Sequence, residues 1–469
     1  MRVGIIGSGP AGISCALKLA ESNIDVEIFE IESQVGGLAK SIELWDQTVD
    51  LGPHRFFSMD KKVTDFWLKA IGKDYVDVDR HTSIFYNNNF FQYPLKPKNA
   101  LSKLGMLKAA NCLASYAKSR LFPVIPENNF EEWVSNRFGK KLYEIFFKTY
   151  SEKLWGIPCT DLDIDFASQR IKGLNLYEAI KNAIFGGKNN KHKTLVDHFL
   201  YPKNGSGQVY SKMADKISVL GGKIHLNSKV IKVLTSNNSA KGFITSDDQK
   251  YLFDSVVSTM PLTDLILMTE GIDDTIRDLS KVLSYRNTII VYLLIDKNSI
   301  FKDNWIYIHS NELSTGRVTN FQNWSPYLTK GDSRTILALE YWSNDQDNLW
   351  SMTDSELIKL AGAEMSSTGL ISTSDIQNGE VVRLHRSYPI YSCGYRQILS
   401  KLQKTIDSIA NLYAIGRNGS FKYNNQDHSI LMGMLTADNI VDNKNYNLWA
   451  INTDYDYHEG KDLALSGRP

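Results

Sequence analysis

Little in this chain of 469 residues is extreme, and each shortage removes a class of function. Cysteine is scarce: Cys15, Cys112, Cys159 and Cys393 form no C-x-x-C pair and show no metal-ligand spacing. They read as reduced core or boundary residues, so neither a disulfide scaffold nor a metal site is expected. Charge imbalance is lacking too. Lys and Arg number 53 against 52 Asp and Glu, a formal net charge of +1, which supplies no global field for nucleic acid or an anionic surface. Recognition of an anion must come from a few local arginines. No apolar run reaches membrane-spanning length; Ile289 to Ile295, about seven residues, reads as a buried strand. The stretch from Leu101 to Val124 is apolar and helical but carries Lys103, Lys108, Lys118 and Arg120, so it is expected as a surface helix compatible with a membrane-adjacent position. There is no internal repeat, no low-complexity segment, and no Ser/His/Asp triad or pair of carboxylates set up for acid–base work. No signal peptide is expected, because the first apolar run belongs to a motif of its own. A cytoplasmic chain without an integral membrane segment is the expectation. Its length exceeds what one core organises, so two or three domains are expected.

What is present begins at the first residues. Arg2 to Ile6 reads as a short apolar strand, Gly7-Ser8-Gly9-Pro10-Ala11-Gly12 follows, and Ile13, Ala16, Leu17 and Ala20 continue with helical spacing. A second apolar strand, Val26 to Phe29, ends in Glu30. This is a complete βαβ dinucleotide fingerprint: Gly7 for the tight turn, Gly9 for backbone approach to a pyrophosphate, Gly12 for close helix–strand packing. The helix N-terminus that begins at Pro10-Ala11, with the unpaired N–H groups of its first turn, faces the phosphates. Glu30 stands where a carboxylate accepts hydrogen bonds from a ribose, and its charge opposes the extra phosphate of NADP.

Ser33-Gln34-Val35-Gly36-Gly37-Leu38-Ala39 comes next. Glycines here let the chain run along a cofactor that extends past the first ribose. The pattern E-x(5)-GG-x-A resembles the continued fingerprint of FAD enzymes in the amine oxidase, protoporphyrinogen oxidase and UDP-galactopyranose mutase superfamily. The resemblance implies an α/β fold: a Rossmann-type FAD-binding domain interleaved with an antiparallel-sheet substrate domain and a helical insertion. The FAD-binding parts are expected at 1–80, 195–275 and 405–445, the helical domain at 98–190, and the antiparallel sheet at 81–97 and 280–400. Within this plan Asn87-Asn88-Asn89 marks a hairpin turn. Strand character returns from Lys216, with Lys223 to Leu226 and Val230 to Val233 read as paired strands. The resemblance sets the backbone near Val230 close to the adenine. Further strand candidates are Arg286–Asp296, Trp305–His309, Arg317–Phe321, Thr335–Tyr341 and Glu380–Leu384. Leu412 to Arg417 is a strand ending in Gly416 before a helix, an anion or flavin-ring site.

Four constellations match the mutases in order along nearly the whole chain. Leu51-Gly52-Pro53-His54-Arg55-Phe56-Phe57 resembles the loop that lays a histidine against the flavin ring, which assigns His54. Tyr150-Ser151-Glu152-Lys153-Leu154-Trp155-Gly156 resembles their Y-T-E-K-x-W-G segment, where the tyrosine stacks on the base and the tryptophan lines the substrate pocket; flat bases and sugar faces favour aromatic platforms. Arg170 follows where the mutases carry a loop arginine. Their second loop arginine is unmatched: Leu174 stands near its place, and Lys172, the neighbouring cation, lacks the bidentate fork. Thr315-Gly316-Arg317-Val318 resembles the strand that delivers a diphosphate-binding arginine. Finally Tyr388-Pro389, Gly416-Arg417 and Lys422-Tyr423-Asn424-Asn425 resemble a YP element, a G-R pair and a Y-x-D motif, with Asn425 where the acid is expected and Asp427 as an alternative at the helix N-cap.

The resemblance implies a nucleotide-sugar mutase of surface polysaccharide biosynthesis. His54, Arg317, Tyr423 and Asn425 would serve the reaction, and Tyr150, Trp155, Arg170 and Tyr388 would hold the substrate. The cofactor would be FAD, active as a mutase only when reduced by an external donor such as NAD(P)H. The expected partner is a nucleotide sugar, not nucleic acid, and a homo-oligomer is allowed. The alternative on the same FAD domain is an oxidoreductase of the amine oxidase or protoporphyrinogen oxidase type, which needs no diphosphate-binding arginine.

Overall fold

The structure, a computed structural model, describes residues 1–93, 103–171 and 198–451. The opening strand Arg2–Ile6 lies inside a five-stranded parallel sheet of order 412–414, 255–258, 2–6, 25–29, 223–225. Its four inner residues are buried, as a parallel strand covered on both faces requires. The helix Pro10–Glu21 starts with proline in its first turn, where the missing N–H costs nothing. It buries Ile13, Ala16, Leu17 and Ala20 and packs against helices Gln426–Asp442 and Gly207–Val219.

The second large sheet has seven strands, in the order 376–389, 285–295, 335–343, 317–320, 305–308, 82–86, 89–92. It is antiparallel except for the pairing of 305–308 with 82–86. The interior strand Tyr285–Ile295, next to one edge, is buried on both faces with period two. Ile289, Val291 and Leu293 enter one core cluster, while Ile290, Tyr292 and Leu294 enter another. The edge hairpin turns at Asn87 and Asn88, both at positive φ (52° and 57°), the left-handed pair that a two-residue turn between twisted strands demands. Helices Met106–Leu121, Phe130–Phe138, Lys140–Tyr143, Thr149–Trp155 and Ile164–Ile171 form the helical insertion.

Two sequence expectations change. Lys216 belongs to helix Gly207–Val219, so strand character starts only at Lys223. The strands Lys223–His225 and Val230–Ser236 do not pair with each other. The first joins the parallel sheet beside residues 27–29, where His225 Nε2 lies 2.9 Å from Glu27. The second folds back on Ser239–Thr245 through Asn237 and Asn238, again both at positive φ. Alternating hydrophobicity identifies a strand; the turn residues select its partner.

A buried carboxylate ties the hairpin 41–50 to the rest. Asp50 is fully buried and accepts hydrogen bonds from Ser41 Oγ (2.5 Å), Tyr201 Oη (2.8 Å) and Ser206 N (3.0 Å). Burial outweighs these donors and pushes the carboxyl up from 3.8 to about 7. The folded protein therefore binds this proton more tightly than the unfolded chain. The associated stability is present in full below pH 3.8 and is lost as pH rises to about 7, a change of a few kcal/mol at most. Denaturant midpoints between those limits are expected to fall with rising pH. In Asp50→Asn this part of the slope should vanish.

Candidate functional site

The glycine-rich end of the candidate site is built from backbone. The turn after the first strand places Gly7 at φ +93°, and a Cβ on Gly12 would stand 2.1 Å from the Gly7 carbonyl oxygen, so helix and turn are in contact with no room between them. Gly9, by contrast, meets only the Gly37 Cα, at 3.9 Å. The 36–39 turn is thus laid against the fingerprint, joined by the hydrogen bond from Gly36 N to the Ser8 carbonyl (3.0 Å). The next residue, Leu38, is half-buried within that turn. Glu30 is buried. Its Oε2 accepts from Ser8 N (2.8 Å) and Ser8 Oγ (2.6 Å), and its Oε1 from Glu32 N (3.0 Å). The Glu30 carbonyl accepts from Ser228 N (2.7 Å), which brings the segment leading into Val230 beside the end of the second strand. Gly416, at φ +80°, lies against Ala11: a Cβ there would be 3.1 Å from the alanine methyl.

At the other end, side chains from segments far apart in the chain converge. His54 is held by its loop: its carbonyl accepts from Gln426 Nε2 (2.8 Å) at the start of the last long helix. Burial, reinforced by Arg417 and Arg317, pushes the His54 imidazole down to about 3, so the ring is neutral at physiological pH. Its Nδ1 is buried and without a hydrogen-bond partner among the described residues, a condition that calls for a polar group supplied from outside the chain.

The Arg317 side chain is 12% exposed, and its fork grips Glu340 through Nε (2.7 Å) and Nη2 (2.5 Å). Burial opposes the charge, but Glu340 and the neighbouring tyrosines more than offset it and hold the guanidinium firmly protonated. Sequence reasoning missed Glu340. The signal was a lone acid within the apolar strand Thr335–Ser343, directly opposite Arg317 in the sheet register. Arg417 donates to the Asn424 carbonyl through Nε (2.9 Å) and Nη2 (2.8 Å) and to the Ser387 carbonyl through Nη1 (3.2 Å). It lies over the rings of Tyr388 and Tyr423 at 5.2 and 5.3 Å. Among the described residues no carboxylate pairs with it, so its charge is free to act on a ligand.

Tyr150 is stacked on His309 (4.9 Å, 18°) and meets Trp342 edge-on at 5.5 Å. Tyr388 and Tyr423 lie 5.2 Å apart. Trp155, expected to line the pocket, is fully buried and packs against Tyr423 (5.6 Å) and Tyr388 (6.4 Å), its indole N–H without a hydrogen-bond partner among the described residues. The glycine after it ends the helix at φ +66°, and a Cβ there would collide with the Arg286 guanidinium at 2.4 Å. Lys153 of the same motif donates to the carbonyls of Ser310 (2.6 Å) and Ile308 (3.3 Å), fixing the loop that carries His309. Asn425 is exposed and occupies the N-cap of helix Gln426–Asp442, with no side-chain capping bond. Asp427 is therefore not the cap; it is buried in the first turn. Arg170 falls in helix Ile164–Ile171, but its side chain lies outside the described residues, as do Lys172, Leu174 and the loop after Phe185.

Comparison with known proteins bears on the fold and the family. A family model described as flavin containing amine oxidoreductase matches residues 10–419. The coproporphyrinogen III oxidase of Staphylococcus aureus is 24% identical over 94% of this chain and 98% of its own length. A UDP-galactopyranose mutase of Klebsiella pneumoniae, described as probable, is 28% identical over 34% of this chain and 42% of its own. Among solved structures, reduced UDP-galactopyranose mutase superposes with a TM-score of 0.83 at 23% identity, covering 94% of this chain and 95% of that one. A flavin fits the residues present: a glycine cradle for the phosphates, a ribose-side acid, and a neutral histidine with an unpartnered buried nitrogen.

Proposed function

The chain belongs to the family of flavin containing amine oxidoreductases, and on that premise we propose that it is an FAD-dependent nucleotide-sugar mutase that interconverts pyranose and furanose forms for surface polysaccharide synthesis. The observation that carries this reading is the convergence of Arg317, Arg417, Tyr150, Tyr388 and Tyr423 around His54. Aromatic platforms and arginines together suit a base, a sugar and a diphosphate.

In this reading Gly7, Gly9, Pro10, Ala11 and Gly12 hold the FAD pyrophosphate at the helix N-terminus. Glu30 takes the ribose, Val230 the adenine side, and Gly36, Gly37, Leu38 and Gly416 line the cofactor's path. Reduced flavin, when bound, supplies an electron-rich ring nitrogen able to attack an anomeric carbon, whereas oxidised flavin accepts a hydride. The chain supplies the rest. His54, neutral, hydrogen-bonds without adding charge. The remaining N–H groups of Arg317, with Arg170, neutralise the departing diphosphate, and Arg417 stands with Gly416 at the cofactor. Tyr388, its hydroxyl pushed up to about 12 by burial and by Tyr423, stays protonated and donates. Tyr150 offers a ring edge to the base, and Asn425 at the helix start is a neutral hydrogen-bonding group near the sugar. Trp155 positions the tyrosines.

A second reading, net oxidation by the same flavin, is favoured by one observation: the Arg317 fork is already filled by Glu340. The oxidase relative matched along 98% of its length points the same way. Incubation of the flavin-loaded protein with UDP- and dTDP-sugars, with and without dithionite, separates the two. Ring isomerisation that requires reduction and consumes no electrons is the expected result. Oxygen uptake, or stoichiometric oxidation of a sugar or of coproporphyrinogen, would replace the mutase by the oxidase.

A further inference from the structure

The helix Met106–Leu121 is amphipathic the wrong way round for a helix that only packs on its own protein. Its protein-facing side is made of the small residues Ala109 and Cys112, and the Gly139 backbone fits closely against Tyr116 on the same side. Its large side chains point outward: Met106 is 90% exposed and Leu107 85%. At 100° per residue, Met106, Leu107, Leu113 and Leu121 fall within an arc of about 120°, the width of a stripe that normally faces a core. The loop that follows extends the stripe. Phe122 is 75% exposed and Ile125 81%. This loop is held in place, since the Asn136 side chain accepts from Val124 N (3.0 Å) and donates to the Val124 carbonyl (2.9 Å).

Charge selects the occupant. Lys103, Lys108, Lys118 and Arg120 are all exposed, and no Asp or Glu occurs between Lys103 and Pro126. Lys118 and Arg120 flank the apolar stripe on opposite sides. A second copy docked through a two-fold axis would set these cations against themselves. Among the described residues no helix is long and apolar enough to cross a membrane. We propose that helix Met106–Leu121 and the loop to Pro126 form a peripheral docking surface for a bilayer bearing anionic headgroups, the apolar side chains entering the acyl boundary and the flanking cations meeting phosphates. The surface is independent of the mutase reading and would serve either chemistry.

The test is co-sedimentation of the full flavin-loaded chain with phosphatidylcholine vesicles, with and without phosphatidylglycerol. Binding is expected only with phosphatidylglycerol and should weaken steeply with added salt. The double variant Phe122→Glu/Ile125→Glu is expected to lower the partition coefficient at least about tenfold while flavin absorbance and the thermal midpoint stay unchanged, since both side chains are already in water. Three results would overturn the proposal: no binding to anionic vesicles at low salt, binding that the double variant leaves intact, or a dimer in light scattering that the variant dissociates without any vesicle binding.

Discussion

On the mutase reading, Arg317→Ala is expected to lose stability and nucleotide-sugar binding together, and the two losses should come apart in a second variant. Removing the guanidinium strands Glu340, whose side chain is 2% exposed, as an uncompensated buried charge, a change that costs about 3–5 kcal/mol. The urea midpoint falls accordingly. In Arg317→Met/Glu340→Leu neither charge remains, so stability returns to within about 1–2 kcal/mol of the parent. Nucleotide-sugar affinity, measured by titration of the flavin-loaded protein, is expected to stay at least about tenfold weaker in both variants. Flavin retention should change far less than sugar binding. Recovery of sugar affinity in the double variant would remove Arg317 from the diphosphate site and leave it a partner of Glu340 alone. Equal loss of flavin and sugar in the single variant would place the arginine at the cofactor instead. Glu340→Gln supplies the reverse: the fork is released, and diphosphate binding tightens if the pair is what restrains it.

Gly9→Ala yields a folded protein that has lost its yellow colour, whereas Gly12→Ala yields one that is destabilised first. Gly9 has φ −66°, a conformation open to any residue, and its Cβ would meet nothing closer than 3.9 Å. The methyl group therefore costs the fold little. If Gly9 cradles a pyrophosphate at the helix N-terminus, as proposed above, the methyl group obstructs its approach, and flavin affinity is expected to drop at least about tenfold. At Gly12 the added carbon would stand 2.1 Å from the Gly7 carbonyl oxygen. Backbone must shift, at a cost of about 1–3 kcal/mol, before any ligand is considered. Thermal midpoints and visible flavin absorbance on the two purified proteins check both halves. A Gly9→Ala protein that keeps its full flavin content would contradict the cradle.

The residues that were legible in advance are those whose job is local. The Gly7–Gly12 turn, the acid at Glu30 and the Asn87-Asn88 hairpin each follow from backbone conformations that few residue types tolerate, so a handful of consecutive letters suffices. The motifs that carry Tyr150 and Tyr423 lie far apart in the chain, and the fold brings the two rings into one cluster. Trp155 shows what a motif leaves open: the depth at which its ring sits depends on Phe166, Tyr391 and the tyrosines packed around it, which no stretch of consecutive residues specifies.

The sequence by itself determined a nucleotide-binding βαβ unit and an antiparallel sheet, because turn chemistry and hydrophobic period act over a few residues. Only the tertiary structure decided what the charges do. Glu340 meets Arg317 through strand register, Arg417 is satisfied by carbonyls from two segments, and the outward face of helix Met106–Leu121 stays in solvent because its small residues are the ones that pack. Charge state and exposure depend on neighbours distant in the chain, and no local pattern encodes that distance.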